Sequence, residues 1–402
     1  MPKILFASLI LAGVSLSFAK DAKHIRDLVE SKQGIHSFDE ILREFSSEYR
    51  SHYTVMYHSG SEQGASEDNP RVIMYGRDAK TILGFNGHPS QKGFNTLEMI
   101  QFNDETKEFE FYQISFQDGK RVTMSPPNPK ACTECHGTPP RPNWEQYDKW
   151  PGAFGSDEDR LYDDEKERSK FKEFANRNRK DTRYGWLENL KENYAPQDSD
   201  ANRYMAKFTK AETNARFTSL LGILNAKRMA KRLMSSPSYE KNKWRIAMTI
   251  LGCRKDPDAN WRVGYSSELT DFYALEKLNQ EAKLGIAIDR SNWALVRSWN
   301  RAYSRRGRGF QNPFWDGSVG FSGVFDFGLA ELDPEFAALT KNMTRKKVYE
   351  GALTEEAFPE RDRDRVCMLL AGIINGSPAQ PHKRPRHSGL QWREQHDELP
   401  TH

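Results

Sequence analysis

From Thr54 to Met124 the apolar, aromatic and β-branched residues come in short runs: YTVMY, RVIMYG, TILGF, NTLEMIQF, EFEFYQISF and KRVTM. Turn-rich segments divide them, among them GFNGHPSQKG, NDETKE and QDGK. Runs of that length and punctuation predict strands, and QDGK is a hairpin signal, so the segment reads as an antiparallel sheet of about five strands. Just upstream, Ser37-Phe38-Asp39-Glu40 is a capping box, in which the Ser hydroxyl and the Glu carboxylate satisfy open backbone N–H groups. It predicts a helix reaching about Ser51.

After Asp157 the period lengthens. FTSLLGIL places Phe217, Leu220, Leu221 and Leu224 at i, i+3, i+4 and i+7, the stripe of a buried helix face. Ser291 is a cap for NWALVRSW, and a last helix is expected over 361–375, stopped by Gly376 with Pro378 beyond. NAKRMAKRL reads as the solvated side of a helix rather than a docking face, and GSVGFSGVFDFG as a hairpin or loop. The expected class is α+β: an antiparallel-sheet domain over 37–156 followed by a mostly helical domain over 157–375. Residues 20–36 read as a linker and 376–402 as a polar, disordered tail.

The first residues change the setting. MPKILFASLILAGVSLSFAKDAK has a lysine, an apolar core and a Ser-Phe-Ala cleavage pattern, which together predict a signal peptide over 1–19. No other run is apolar for long enough to cross a bilayer, so the mature chain is expected to be periplasmic or secreted, without a transmembrane segment. With 60 Lys and Arg against 56 Asp and Glu, charge gives no reason to expect a nucleic-acid partner.

The chain has four cysteines. Export favours disulfides, and Cys253 and Cys367, on segments that look helical, suit one long-range bridge. Cys132 and Cys135 stand apart, in NPKACTECHGTPPRPNW, followed at once by His136. Cys-x-x-Cys-His is the attachment pattern of a c-type haem: two thiols bind one edge of the macrocycle and bring the next histidine under the iron. A zinc site would need a second Cys/His pair, and none lies between His136 and His382. A plain disulfide or a thiol–disulfide site is the other reading, although the latter favours a βαβ context that is not found here. The expected cofactor is one covalent haem c, with His136 as proximal ligand.

EFEFYQISFQDGKRVTMSPPNPKACTECHG resembles two groups of c-type haem proteins. One is the β-sheet periplasmic cytochromes that include hydroxylamine-oxidising enzymes and gas-binding relatives; the other is the c-haem PAS-like sensor domains. CTECHG followed by RPNWEQYDKWPGAFG is also similar to a set of exported proteobacterial proteins with Cys-x-x-Cys-His-Gly and Arg-Pro-x-Trp. The resemblance spans about residues 37 to 157 and implies strands forming a distal haem wall, with the motif closing the domain.

A sixth iron ligand is not specified. Met74, Met99, Met124, His58 and His88 lie in or beside the strands, yet a strand methionine is commonly core filler. An open distal site stands beside them. Phe109, Phe111, Trp144 and Trp150 suit either haem contact or core packing, and Arg141 suits a haem propionate or a surface turn. The expected role is one-electron transfer with a redox partner protein. The alternatives are a small-ligand sensor or an oxidoreductase with an open haem site, and, more remotely, a haem-free Cys-x-x-Cys thiol protein. Asp326-Phe327-Gly328 is a chance match to a kinase motif, since no glycine-rich nucleotide loop accompanies it.

Overall fold

A computed structural model of the chain describes residues 21–31, 34–59, 61–117, 120–142, 152–154, 165–177, 182–190, 213–255, 261–263, 268–285, 323–347 and 356–376. The expected signal peptide, Trp144, Trp150, the expected Ser291 cap and nearly all of the polar tail lie outside the described residues.

Six strands form one antiparallel meander, β1 Tyr53–Met56, β2 Arg71–Tyr75, β3 Thr81–Asn86, β4 Thr96–Asn103, β5 Glu108–Ser115 and β6 Thr123–Met124, each paired with the next. Between the last two, the Lys120 N–H donates to the Gln117 carbonyl at 2.9 Å. Successive side chains of a strand point to opposite faces, so β1 to β5 each feed two cores. Met74, Leu83, Phe85, Leu97, Met99 and Ile114 enter a core on one face, the far face here. Ile73, Tyr75, Ile82, Ile100, Phe102, Phe109 and Phe111 enter another on the near face.

Helices cover both faces. The capping box forms: the Ser37 hydroxyl accepts from Glu40 N at 3.2 Å and the Glu40 carboxylate accepts from His36 N at 2.7 Å. The helix it opens, α2 (Phe38–Glu44), is shorter than expected, because Phe45 turns extended and a 3₁₀ turn, Ser47–Arg50, follows. The stretch expected to be a linker contains α1 (Ala22–Glu30). Asp21 caps it, and Ala22, Ile25 and Val29 bury its inner side in the far core, which is why it folds. Phe171 and Phe174 of a later helix, together with Tyr184, Leu187 and Leu190, join that same core, so the first packing unit does not end at residue 156.

Lys130–His136 is α3 and Glu165–Asn176 is α4. On the near face lies α5, Thr213–Met234, with Phe217, Leu220, Leu221 and Leu224 buried as their spacing predicts. Phe217 stacks on Tyr75 of β2 at 4.6 Å. The basic run on α5 is not a solvated side. Arg228 is fully buried and its Nε donates to Glu108 at 2.6 Å, while Arg232 donates to the same carboxylate at 2.7 Å. These charges fasten the helix to the start of β5. The expected division into a sheet domain and a helical domain therefore describes the order of elements, while the near core runs through both.

Further helices are α6 Tyr239–Ile250, α7 Glu268–Glu281, α8 Pro334–Thr340 and α9 Glu360–Ile374. Gly376, with φ +67°, follows α9 as its sequence predicts. The described end of the glycine-rich segment is a π-helical turn, Phe325–Leu329, rather than a loop. A Cβ on Gly328 would lie 2.3 Å from the Ala230 Cβ, so this glycine serves close packing against α5. Asp326, in the chance kinase match, is buried and bonded to Arg363 of α9. A disulfide joins Cys253 to Cys367. Cys367 is helical, in α9, whereas Cys253 opens a strand, β7 (Cys253–Lys255), because the chain leaves α6 through Gly252 at φ +63° and pairs with β8 (Trp261–Val263).

Candidate functional site

β6 ends at Met124, and the chain then bends at Pro127 and Asn128. Asn128 then hooks the chain to the middle of β5: its N–H donates to the Phe111 carbonyl at 2.8 Å, and its side-chain oxygen accepts from Phe111 N at 2.9 Å. Its φ of +57° suits asparagine better than most residues. From that anchor Pro129 starts α3, whose sequence is Lys-Ala-Cys-Thr-Glu-Cys-His.

Residues three and four apart on a helix share a face, so Cys132, Cys135 and His136 project together. Both cysteines are thiols, Cys132 half-buried against the near core and Cys135 exposed. Burial pushes the Cys132 thiol up to about 11, helped by the charge of Glu98 and by Cys135. A redox-active thiol needs the opposite shift.

His136 is fixed by a reciprocal pair of bonds. Its Nδ1 lies 2.8 Å from the Arg141 carbonyl, and Arg141 N–H donates back to the His136 carbonyl at 3.1 Å. A carbonyl can only accept, so Nδ1 carries the proton and the Nε2 lone pair is left for a ligand bond. Burial holds the ring below the ordinary histidine range, and the guanidinium charges of Arg71 and Arg141 act in the same direction against the Arg141 hydrogen bond. The imidazole is thus neutral at physiological pH, the form that binds metals. Phe111, 4.5 Å away between ring centres, supports it from the sheet.

Two thiols and one neutral, oriented imidazole on a single helical turn fit a thioether-linked haem, whose iron takes four ligands from the porphyrin and needs only one from this turn. Among the described residues no group of three or more His, Cys, Asp or Glu side chains could hold a metal ion by itself.

The candidate sixth ligands do not gather here. Met74 and Met99 lie in the far core, and Met124, opposite Ile114, packs against that core too, so the sheet separates all three from α3. His58 is exposed beyond β1, and His88 is held by Ser90 in the β3–β4 turn at 2.7 Å. Phe109 pairs edge-on with Phe102 as core packing, while Phe111 reaches the site. Arg141 is buried rather than a surface residue.

Sequence reasoning passed over Arg71 and Glu98. They form a near-face ion pair, with Arg71 also donating from Nε to Gln63 at 2.7 Å. The available signal was their phase: each occupies the strand position that belongs with Ile73 and Tyr75, or with Ile100 and Phe102, where an apolar residue is expected.

Comparison with known proteins returns no matching family model, no similar curated protein and no similar solved structure. No helix among the described residues is long and apolar enough to cross a membrane.

Proposed function

We propose that this chain is an exported monohaem c-type cytochrome-like protein, with haem c linked through Cys132 and Cys135 and with His136 as the proximal iron ligand. The bound haem supplies a one-electron iron couple, and the biological role is electron transfer with a redox partner protein. One observation carries the reading: His136 is neutral, supported by Phe111 and tied through Nδ1 to the Arg141 carbonyl, which leaves Nε2 as the ligand atom. Such bonding to the second ring nitrogen fixes tautomer and orientation in metal-binding histidines. The raised thiol of Cys132 weighs against a haem-free redox thiol.

A second reading, small-ligand binding or oxidoreductase chemistry at an open distal site, is favoured by the seclusion of Met74, Met99 and Met124 on the other side of the sheet. Visible spectra of protein from a host competent in haem c maturation test both. The expected result is a haem c spectrum that Cys132→Ser with Cys135→Ser abolishes, and a ferrous band that shifts on adding CO. A low-spin spectrum indifferent to CO contradicts the open site and leaves electron transfer. A colourless protein contradicts both readings.

A further inference from the structure

The near face of the sheet carries a charged pair that packing does not call for. Arg71 opens β2, Glu98 lies on β4, and β3 runs between them. The Arg71 guanidinium crosses β3 over Gly84 to reach the Glu98 carboxylate; a Cβ at position 84 would lie 2.7 Å from Arg71 Nη2. A bare glycine inside a strand marks such an approach. Gln63 holds the guanidinium from another side, and its own amide donates to the Gly84 and Thr96 carbonyls at 3.2 and 2.8 Å. Apolar side chains of like volume would often serve a core equally well or better than a buried ion pair.

What lies near the pair gives it another use. Phe111, whose ring lies 4.5 Å from that of His136, stands opposite Ile100, two residues along β4 from Glu98 on the same face, and Cys132 packs against that near core, so the pair shares the face that the CTECH turn meets. The charges of Arg71 and Glu98 act on His136 and Cys132 in keeping with that placement. Arg71 is rigidly held and almost fully buried, where a charge is poorly screened.

We propose that the Arg71–Glu98 pair sets the reduction potential of a haem held at His136, Arg71 favouring the ferrous state and Glu98 limiting that bias. The inference rests on reading the CTECH turn as a haem site. A ferric centre carries one more positive charge than a ferrous one, so a fixed neighbouring cation disfavours it. Reduction takes one electron from the redox partner, or from a mediator in a titration, and no bond is made or broken.

The test is a mediated redox titration of the haem-loaded chain, followed by visible absorbance, for the parent and three variants. Arg71→Gln is expected to shift the ferric/ferrous ratio at a fixed applied potential about tenfold toward ferric, 59 mV for a one-electron couple. Arg71→Lys, which keeps the charge, is expected to stay within about twofold of the parent, and Glu98→Gln to shift toward ferrous. Arg71→Gln and Glu98→Gln shifting in the same direction, or neither moving by more than about twofold, overturns the proposal. If Arg71→Gln does not fold, Glu98→Gln decides alone: a ferrous shift supports the proposal and no shift overturns it. Failure of the haem reading itself is distinguishable, because the parent chain is then colourless before any titration.

Discussion

Cys132 and Cys135 share a turn of α3 but differ chemically. Cys132 lies against the near core, with Glu98 in electrostatic range, and its thiol is pushed up to about 11, whereas Cys135 is exposed. Thiolate is the reactive form, and a raised value means that Cys132 stays protonated until the pH approaches 11. In chain produced without haem maturation, iodoacetamide at pH 8 should label Cys135 first and Cys132 more slowly by about one to two orders of magnitude. The Cys132 rate should still be climbing at pH 10. Equal rates, read by peptide mass spectrometry, contradict the buried placement of Cys132. The identities of the three CTECH residues were legible because their spacing is itself chemistry. Their unequal exposure was not, since it depends on which side of α3 meets strands far away in the chain.

Among the elements, the sheet was legible because alternation, turn residues and β-branched runs all agree locally. Helix α1 was missed: nine residues with three buried positions make a weak pattern, and a core built by distant strands stabilises it. The basic run on α5 misled for a related reason. Charge on a helix normally means solvent, and Glu108, 120 residues away from Arg228, turns that side inward. The disulfide between β7 and α9 was legible from the cysteine count and the expectation of export, although the strand at Cys253 was not. It spans 114 residues of sequence, for which the chain-entropy relation gives about 4–5 kcal/mol of stabilisation. Cys253→Ala with Cys367→Ala should lower the urea midpoint accordingly, and alkylation of the unreduced parent should label neither cysteine. Labelling of both without reductant contradicts the bridge.

At the scale of the molecule, the sheet is a partition. Its far face packs α1, α2 and α4, and buries the methionines that the sequence offered as iron ligands. Its near face packs α5 and carries Phe111, Arg71 and Glu98, and Cys132 of α3 packs against the same core. That partition was hidden in the sequence, because alternation tells which residues share a face but not which face the CTECH turn will meet. The Asn128–Phe111 hydrogen bonds decide it, by tying the start of α3 to β5. The central claim is covalent haem at Cys132 and Cys135, and the most direct measurement is the intact mass of the denatured chain from a host that matures haem c. The account predicts a mass exceeding the polypeptide by one haem, lost when both cysteines become serine. A polypeptide carrying no added haem mass, from a host that loads a control cytochrome c, contradicts it.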